Sequence, residues 1–135
     1  MAARPAKRFE YAITLDRAGR PAAEDGEPLA LPDEWEAEHL VLAGLARCTL
    51  KSLSYHAVRA GLDAVGSATA RGVVTRRDDD DRYAFVEIEC ELDVEIEPRP
   101  DDLPGLLAKA ERDCFVGASL TAPPRYRWRV NGSEV

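Results

Sequence analysis

The chain has 135 residues, 45% of them hydrophobic and 32% charged, and a formal net charge of −7, which suits one compact domain and excludes a disordered chain. It has no large basic patch, which argues against nucleic acid as a partner. No apolar run approaches the roughly 18 residues of a membrane span, and the N-terminus lacks the apolar stretch of a signal peptide, so we expect a cytoplasmic protein with no membrane partner.

The N-terminal part predicts one strand and a turn. We expect residues 1–7 to form a flexible tail and residues 8–135 a single domain. From Arg8 to Leu15 apolar and polar residues alternate, which indicates a half-buried strand. The segment Asp16–Pro21 has the composition of a turn. The acidic segment Ala22–Leu31 predicts a loop or a short edge strand.

A long helix is predicted next. Asp33 is the expected N-cap, and Gly61 is the expected C-terminal stop after a helix that continues to Ala60. The run Leu40–Leu50 is apolar nearly all round, apart from one arginine. A helix of this kind is usually buried on most of its sides.

Two strands are predicted after this helix. Residues 65–76 form the weaker one. The next strand has the clearest alternation in the chain, and two prolines, Pro98 and Pro100, end it. Its predicted apolar face consists of Val86, Ile88, Cys90, Leu92, Val94 and Ile96, and its acidic face of Glu87, Glu89, Glu91, Asp93, Glu95 and Glu97.

A second helix and a last strand complete the predicted elements. Apolar residues at helical spacing predict a helix over Asp102–Ser119 with Cys114 on its apolar face. The order strand, helix, two strands, helix, strand indicates an α+β fold. In the last strand three arginines alternate with apolar residues, and we expect them to pair across the sheet with some of the glutamates of the acidic strand. The expected partners are Arg125, Arg127 and Arg129 with Glu87, Glu89 and Glu91.

The three cysteines are far apart in sequence. Their odd number argues against a disulfide framework, and neither histidine has a metal-ligand spacing with them, so we expect no structural zinc. We expect His56 to lie on the outer side of its helix, at the surface. Cys90 lies in register with the apolar face of a strand, which favours a buried, unreactive thiol.

For Cys48 and Cys114 the residues alone leave both a buried and a reactive thiol open. Each lies in a helical segment with apolar neighbours. Arg47, adjacent to Cys48, and the turn that contains Arg17 supply cations that could lower the pKa of Cys48 and enrich its thiolate.

Three segments resemble the OsmC/Ohr family, the osmotically inducible protein C and organic hydroperoxide resistance proteins. Glu38–Cys48 is similar to the first-cysteine motif, in which a glutamate lies ten residues ahead of a cysteine. Cys114, followed by Val116 and Ser119, resembles the second-cysteine helix. The turn Asp16–Arg20 resembles the turn that carries the catalytic arginine. The resemblance extends roughly from the first predicted strand to the last.

This resemblance implies an OsmC-like fold, with antiparallel sheets packed around two central helices in an intertwined homodimer. It implies a peroxidase without cofactor that reduces organic hydroperoxides and is regenerated by an external dithiol of the dihydrolipoyl type. Cys48 would be the peroxidatic thiol and Cys114 the resolving thiol. Arg17 would hold the thiolate and the peroxide, and Glu38 would orient Arg17. Phe115 stands where family members commonly have proline.

One spacing constrains this site further. Ten helical residues rise about 15 Å, so Glu38 cannot reach Cys48 of its own chain along an unbroken helix, and we expect it to act from the partner subunit. Two alternatives stay open. The chain could be a non-catalytic protein of the same fold that binds a small apolar molecule, or a dimerisation domain with all three cysteines buried.

Overall fold

A computed structural model describes residues 4–135. The chain forms two compact units, Met1–Glu36 and Ala37–Val135. In the first unit, β1 (Ile13–Leu15) and β2 (Pro21–Ala23) form an antiparallel hairpin.

The turn of this hairpin has the predicted chemistry, but its first strand is shorter than expected. Gly19 adopts a φ of +78°, and the Asp16 carboxylate accepts hydrogen bonds from the backbone N–H groups of Ala18 and Arg20. The strand predicted from Arg8 forms only at β1, and its side chains are exposed. A hairpin of three residue pairs has no second layer within its own unit to cover either face.

The second unit begins with α1 (Ala37–Arg59). The prediction that Asp33 caps this helix was wrong, because the backbone N–H of Trp35 closes a turn onto the carbonyl of Pro32 and the helix starts only afterwards. Its predicted end is confirmed, since Gly61 has a φ of +76°. Within the unit one face of α1 is buried, formed by Leu45, Thr49, Ser52, Leu53 and Ala57.

The main sheet has four strands in the order β3-β4-β5-β6. They are β3 (Asp63–Arg76), β4 (Tyr83–Glu97), β5 (Arg125–Val130) and β6 (Ser133–Glu134). Two neighbouring pairs are antiparallel, as expected, but β4 and β5 run parallel. The connection between these parallel strands contains both short helices of the unit.

The apolar face of β4 forms the centre of the core, and the predicted alternation is confirmed from Ile88 to Ile96. Val86 departs from it and is 37% exposed. Val73 pairs with Glu87 while Val74 pairs with Phe85, so Val86 is the extra residue of a β-bulge. The bulge shifts the alternation, and Phe85 packs against the core in place of Val86.

The predicted charge pairing across the sheet is confirmed for two of the three arginines. They lie on β5 opposite glutamates of β4, and a further arginine on β3 bridges the same two glutamates. Among the described residues Glu87 takes part in no ion pair, and Arg129 pairs instead with Glu134 of β6. The N–O distances are 3.9 Å for Arg125–Glu89, 3.4 Å for Arg127–Glu91, 3.2 and 3.1 Å for Arg71 with Glu89 and Glu91, and 3.8 Å for Arg129–Glu134.

The helix predicted over Asp102–Ser119 is interrupted. It forms α2 (Leu103–Arg112) and a short α3 (Phe115–Ala118), with Cys114 between them in an extended conformation at φ −77° and ψ 107°. The Cys114 sulfur accepts a hydrogen bond from the backbone N–H of Gly117 and so caps α3. Cys114 therefore lies at a break between two helices rather than on the face of one.

Candidate functional site

The structure brings the sulfur atoms of Cys48 and Cys114 together. Cys48 lies on α1 and is partly buried, whereas Cys114, at the break between α2 and α3, is fully buried, and both are free thiols. The Cys48 sulfur lies within hydrogen-bonding reach of the Cys114 thiol and of the backbone N–H groups of Val116 and Phe115. Packing of the α2–α3 break against α1 thus brings the two thiols next to each other.

The surroundings of Cys48 disfavour its thiolate within this unit. Burial raises the pKa of Cys48, and the neighbouring Cys114 raises it further. The N–H groups of Val116 and Phe115 act in the opposite direction but do not outweigh burial. The expected lowering of this pKa by Arg47 is not observed, and the Arg47 side chain is exposed.

Thr49, the residue after Cys48, places a hydroxyl between the cysteines and the helix backbone. It is fully buried, and its Oγ1 lies 2.9 Å from the carbonyl oxygen of Leu45 and 3.4 Å from the sulfur of Cys114. The same sulfur lies 3.4 Å from the backbone nitrogen of Gly117. The sulfur of Cys114 therefore has polar neighbours, although the residue belongs to the hydrophobic core and no part of it reaches solvent.

Tyr126, on β5, brings a second hydroxyl to the same point. Its side chain is half-buried and hydrogen-bonds with the side chains of Thr49 and Cys114. Burial, and then the nearby Cys114, raise the pKa of Tyr126, which keeps its hydroxyl protonated as a donor. A Cβ atom at Gly117 would lie 2.6 Å from the Tyr126 oxygen, so the position leaves room only for glycine.

Cys90 is a core residue, as predicted, but it borders this cluster. It is fully buried on β4. Burial raises the pKa of Cys90 to about 11, with a further contribution from Cys114, while a hydrogen bond to Thr49 acts in the opposite direction. Such a thiol carries almost no thiolate near neutral pH and is a weak nucleophile.

A hydrogen bond anchors the residue before Cys114 to α1. His56 Nε2 lies 2.7 Å from Asp113 Oδ2, and the His56 side chain is only 13% exposed. The prediction that His56 lies at the surface was therefore wrong, because the α2–α3 break covers it. Hydrogen bonds from Arg112 and then from His56 lower the pKa of Asp113 to about 2.

Glu38 lies apart from Cys48 of the same chain, and Arg17 belongs to the first unit. Glu38 is in the first turn of α1, which continues unbroken past Cys48, so a helical rise of about 15 Å separates the two residues of one chain. Arg17 lies exposed in the hairpin turn of the first unit. There Asp16 binds the guanidinium of Arg20 at 2.9 Å.

Sequence reasoning missed Thr49, Tyr126 and Gly117. Thr49 could have been found, because it places a hydroxyl directly after Cys48 inside an otherwise apolar helix. A buried hydroxyl needs a hydrogen-bond partner, which points to a polar group near Cys48. Tyr126 was assigned only to the apolar side of its strand, although a half-buried tyrosine usually hydrogen-bonds through its hydroxyl.

Two further findings concern the part of the chain that the structure describes. Residues 4–135 contain no group of three or more His, Cys, Asp or Glu side chains that could hold a metal ion. No helix among them has both the length and the apolar character needed to cross a membrane.

Comparisons with known proteins match this chain to one family. The family described as OsmC-like protein matches residues 31–129. A search of curated proteins finds no match.

Solved structures share the fold. An OsmC-like protein of unknown function from Vibrio cholerae has a TM-score of 0.72 at 10% identity, over 90% of this chain and 100% of the other. The OsmC-like protein of Mycoplasma pneumoniae has a TM-score of 0.66 at 14% identity, over 93% and 96%. The organic hydroperoxide resistance protein OhrB of Bacillus subtilis has a TM-score of 0.58 at 17% identity, over 91% and 98%. At these identities the similarity shows the fold alone.

Proposed function

This chain belongs to the OsmC-like family, and on that premise we propose that it is a thiol-dependent peroxidase that reduces organic hydroperoxides through Cys48 and Cys114. The contact between these two thiols, on separate elements of the fold, is the observation that carries the proposal. Similarity to structures named as organic hydroperoxide resistance proteins supports the choice of substrate.

In the first step the Cys48 thiolate attacks one peroxide oxygen. The O–O bond breaks, Cys48 becomes a sulfenic acid, and the departing alkoxide takes up a proton to leave as an alcohol. Because burial raises the pKa of Cys48, this step requires a positive charge at the sulfur. The guanidinium of Arg17 fills that role in the proposal, since it stays protonated and can also stabilise the departing oxygen.

In the second step Cys114 attacks the sulfenic sulfur of Cys48. A disulfide forms, and the hydroxyl of the sulfenic acid leaves as water after protonation. The disulfide protects Cys48 from further oxidation. An external dithiol, of the dihydrolipoyl type in this proposal, then reduces the pair by thiol–disulfide exchange and is itself oxidised.

We further propose that the active form is a homodimer in which Glu38 of the partner orients Arg17. The unbroken α1 separates Glu38 from Cys48 within one chain, and the same helix leaves Leu40 and Val41 40% and 37% exposed within its unit. Mixing Cys48→Ser subunits with Glu38→Gln subunits tests this arrangement. Each variant alone should be impaired, and the mixed dimer should regain one intact site. A mixed dimer without regained activity, or a fully active Glu38→Gln homodimer, would contradict it.

A binding protein of the same fold is the second candidate. The raised pKa of Cys48 and the presence of Phe115 in place of the usual proline favour it, because both bear on the reactivity of the cysteine pair. In that case the thiols would line a pocket for a small apolar molecule and would not turn over peroxide.

The mass of the reduced protein after one equivalent of an alkyl hydroperoxide separates the two candidates. The peroxidase should lose a pair of hydrogens as its disulfide forms. Cys114→Ser should instead gain one oxygen, Cys48→Ser should not change, and the control Cys90→Ser should behave as the unmodified chain does. An unchanged mass of the wild type at micromolar peroxide would exclude the peroxidase.

A further inference from the structure

The resolving step has a physical difficulty at Cys114. A thiolate is the nucleophile in disulfide formation. Cys114 is fully buried, so water does not solvate a thiolate formed there. A buried thiolate needs hydrogen-bond donors aimed at its sulfur.

Three such donors converge on the Cys114 sulfur from three different elements. The Thr49 hydroxyl of α1 and the Gly117 N–H of α3 each lie 3.4 Å away, and the Tyr126 hydroxyl of β5 is a third hydrogen-bonding group. All three donors are neutral, so together they can stabilise a thiolate by hydrogen bonds without a positively charged side chain at the sulfur.

Thr49 is suited to both protonation states of Cys114. A hydroxyl has one proton and two lone pairs. In the resting state the Thr49 hydroxyl lies 2.9 Å from the Leu45 carbonyl oxygen, its acceptor in the helix, and 3.4 Å from the Cys114 sulfur. When Cys114 loses its proton, rotation of the Thr49 hydroxyl redirects its proton to the sulfur.

Gly117 keeps the third donor in reach. An added Cβ would lie 2.6 Å from the Tyr126 oxygen and 3.5 Å from the Cys114 sulfur. Any side chain there would therefore displace the Tyr126 hydroxyl. The titratable groups that face Cys114 are Cys48 on α1, Cys90 on β4 and Tyr126 itself.

We propose that the hydroxyls of Thr49 and Tyr126, with the N–H of Gly117, form a thiolate cradle for Cys114 that makes the disulfide-forming step possible in a buried site. This inference rests on the proposed peroxidase function and concerns only its second step. In that step the Cys114 thiolate gives its electron pair to the Cys48 sulfur, the S–O bond of the sulfenic acid breaks, and hydroxide leaves and takes up the proton that Cys114 released.

Single-turnover kinetics of the full chain with an alkyl hydroperoxide test the cradle, because they resolve the two steps. A dimedone-type reagent traps the sulfenic acid of the first step, and acid quenching followed by intact mass measures the disulfide of the second. Tyr126→Phe and Thr49→Val each remove one hydroxyl with little change in shape. Thr49→Ser keeps the hydroxyl, and Tyr83→Phe, at an exposed position, is the matched control.

Tyr126→Phe and Thr49→Val should form the sulfenic acid at near wild-type rate and form the disulfide at least about tenfold more slowly, the effect of one lost hydrogen bond to a charged group. Thr49→Ser and Tyr83→Phe should keep both steps unchanged.

Two results would overturn the inference alone. One is disulfide formation at wild-type rate in both variants. The other is equal slowing of both steps, which would mark a loss of structure. Thermal unfolding of each variant identifies the second case. A wild type that forms no sulfenic acid overturns the proposed function instead, and the inference falls with it.

Discussion

The cysteine cluster and the hairpin turn that carries Arg17 are built in opposite ways. Around Cys114 each group is held by packing, since α1, α3 and β5 all contribute a polar atom to a sulfur that no solvent reaches. Arg17 lies in the exposed turn between two strands of three residues each. In this turn the Asp16 carboxylate binds Arg20.

This difference separates what each region can contribute to the proposed reaction. The buried cluster can define the geometry of disulfide formation without further change, because its contacts lie within one compact unit. It also raises the pKa of Cys48, so that activation of the peroxidatic thiol must depend on groups outside the cluster. The predictions below test this separation.

The largest expected effect concerns Arg17 and the first step. Arg17→Met should slow the reduction of an alkyl hydroperoxide about 100-fold, the scale expected for one lost charge-stabilising donor, and should leave disulfide formation from the sulfenic acid unchanged. Stopped-flow consumption of the peroxide measures it. Arg8→Met, at another exposed arginine of the same unit, is the control. Equal rates for the two variants would show that Arg17 does not activate Cys48.

The next effect concerns packing inside the cluster. Gly117→Ala should lower the free energy of unfolding by about 1–3 kcal/mol, because its Cβ would meet the Tyr126 oxygen at 2.6 Å. Urea unfolding measures the change. At Gly44 of α1 an added Cβ meets nothing within 4 Å. Gly44→Ala should therefore stabilise the helix by roughly 0.5–1 kcal/mol. Gly117→Ala of wild-type stability would mean that the cluster is not tightly packed.

The fold was predictable from the sequence where a local pattern decides it. Alternation predicted β4 and β5, because it reflects which face of a strand is buried, and Gly61 predicted the end of α1. The break at Cys114 escaped prediction, since it depends on a cap by the cysteine's own sulfur and on contacts from α1 that no local pattern reveals.

The same limit explains the candidate site. Cys48 and Cys114 could be paired through the family resemblance. Tyr126 could not be linked to them, because the register of β5 against β4 decides what lies beside it. His56 was misplaced for a similar reason, as only tertiary packing brings Asp113 over it.

A smaller effect is expected from Asp113, the residue before Cys114, which hydrogen-bonds to His56 and Arg112. The pKa of Asp113 is lowered from 3.8 to about 2 in the folded chain, so its contribution to stability is complete above about pH 4 and is lost as the pH falls towards 2. Asp113→Asn should lose less stability than the wild type over this interval. Urea midpoints from pH 4 to pH 2 test this, and parallel curves for the two proteins would contradict it.

The smallest effect is expected on the outer face of the sheet, where Arg71 bridges Glu89 and Glu91 at 3.2 and 3.1 Å. These side chains are solvent-exposed, so Arg71→Ala should cost less than about 1 kcal/mol of unfolding free energy, and the cost should shrink in high salt. Thr69→Ala, at the neighbouring exposed position on the same face of β3, controls for the loss of side-chain contacts to the sheet. A larger cost that does not depend on salt would mean that these surface charges are held as firmly as the hydroxyls around Cys114. The contrast between the buried cysteine cluster and the exposed regions of the chain would then no longer hold.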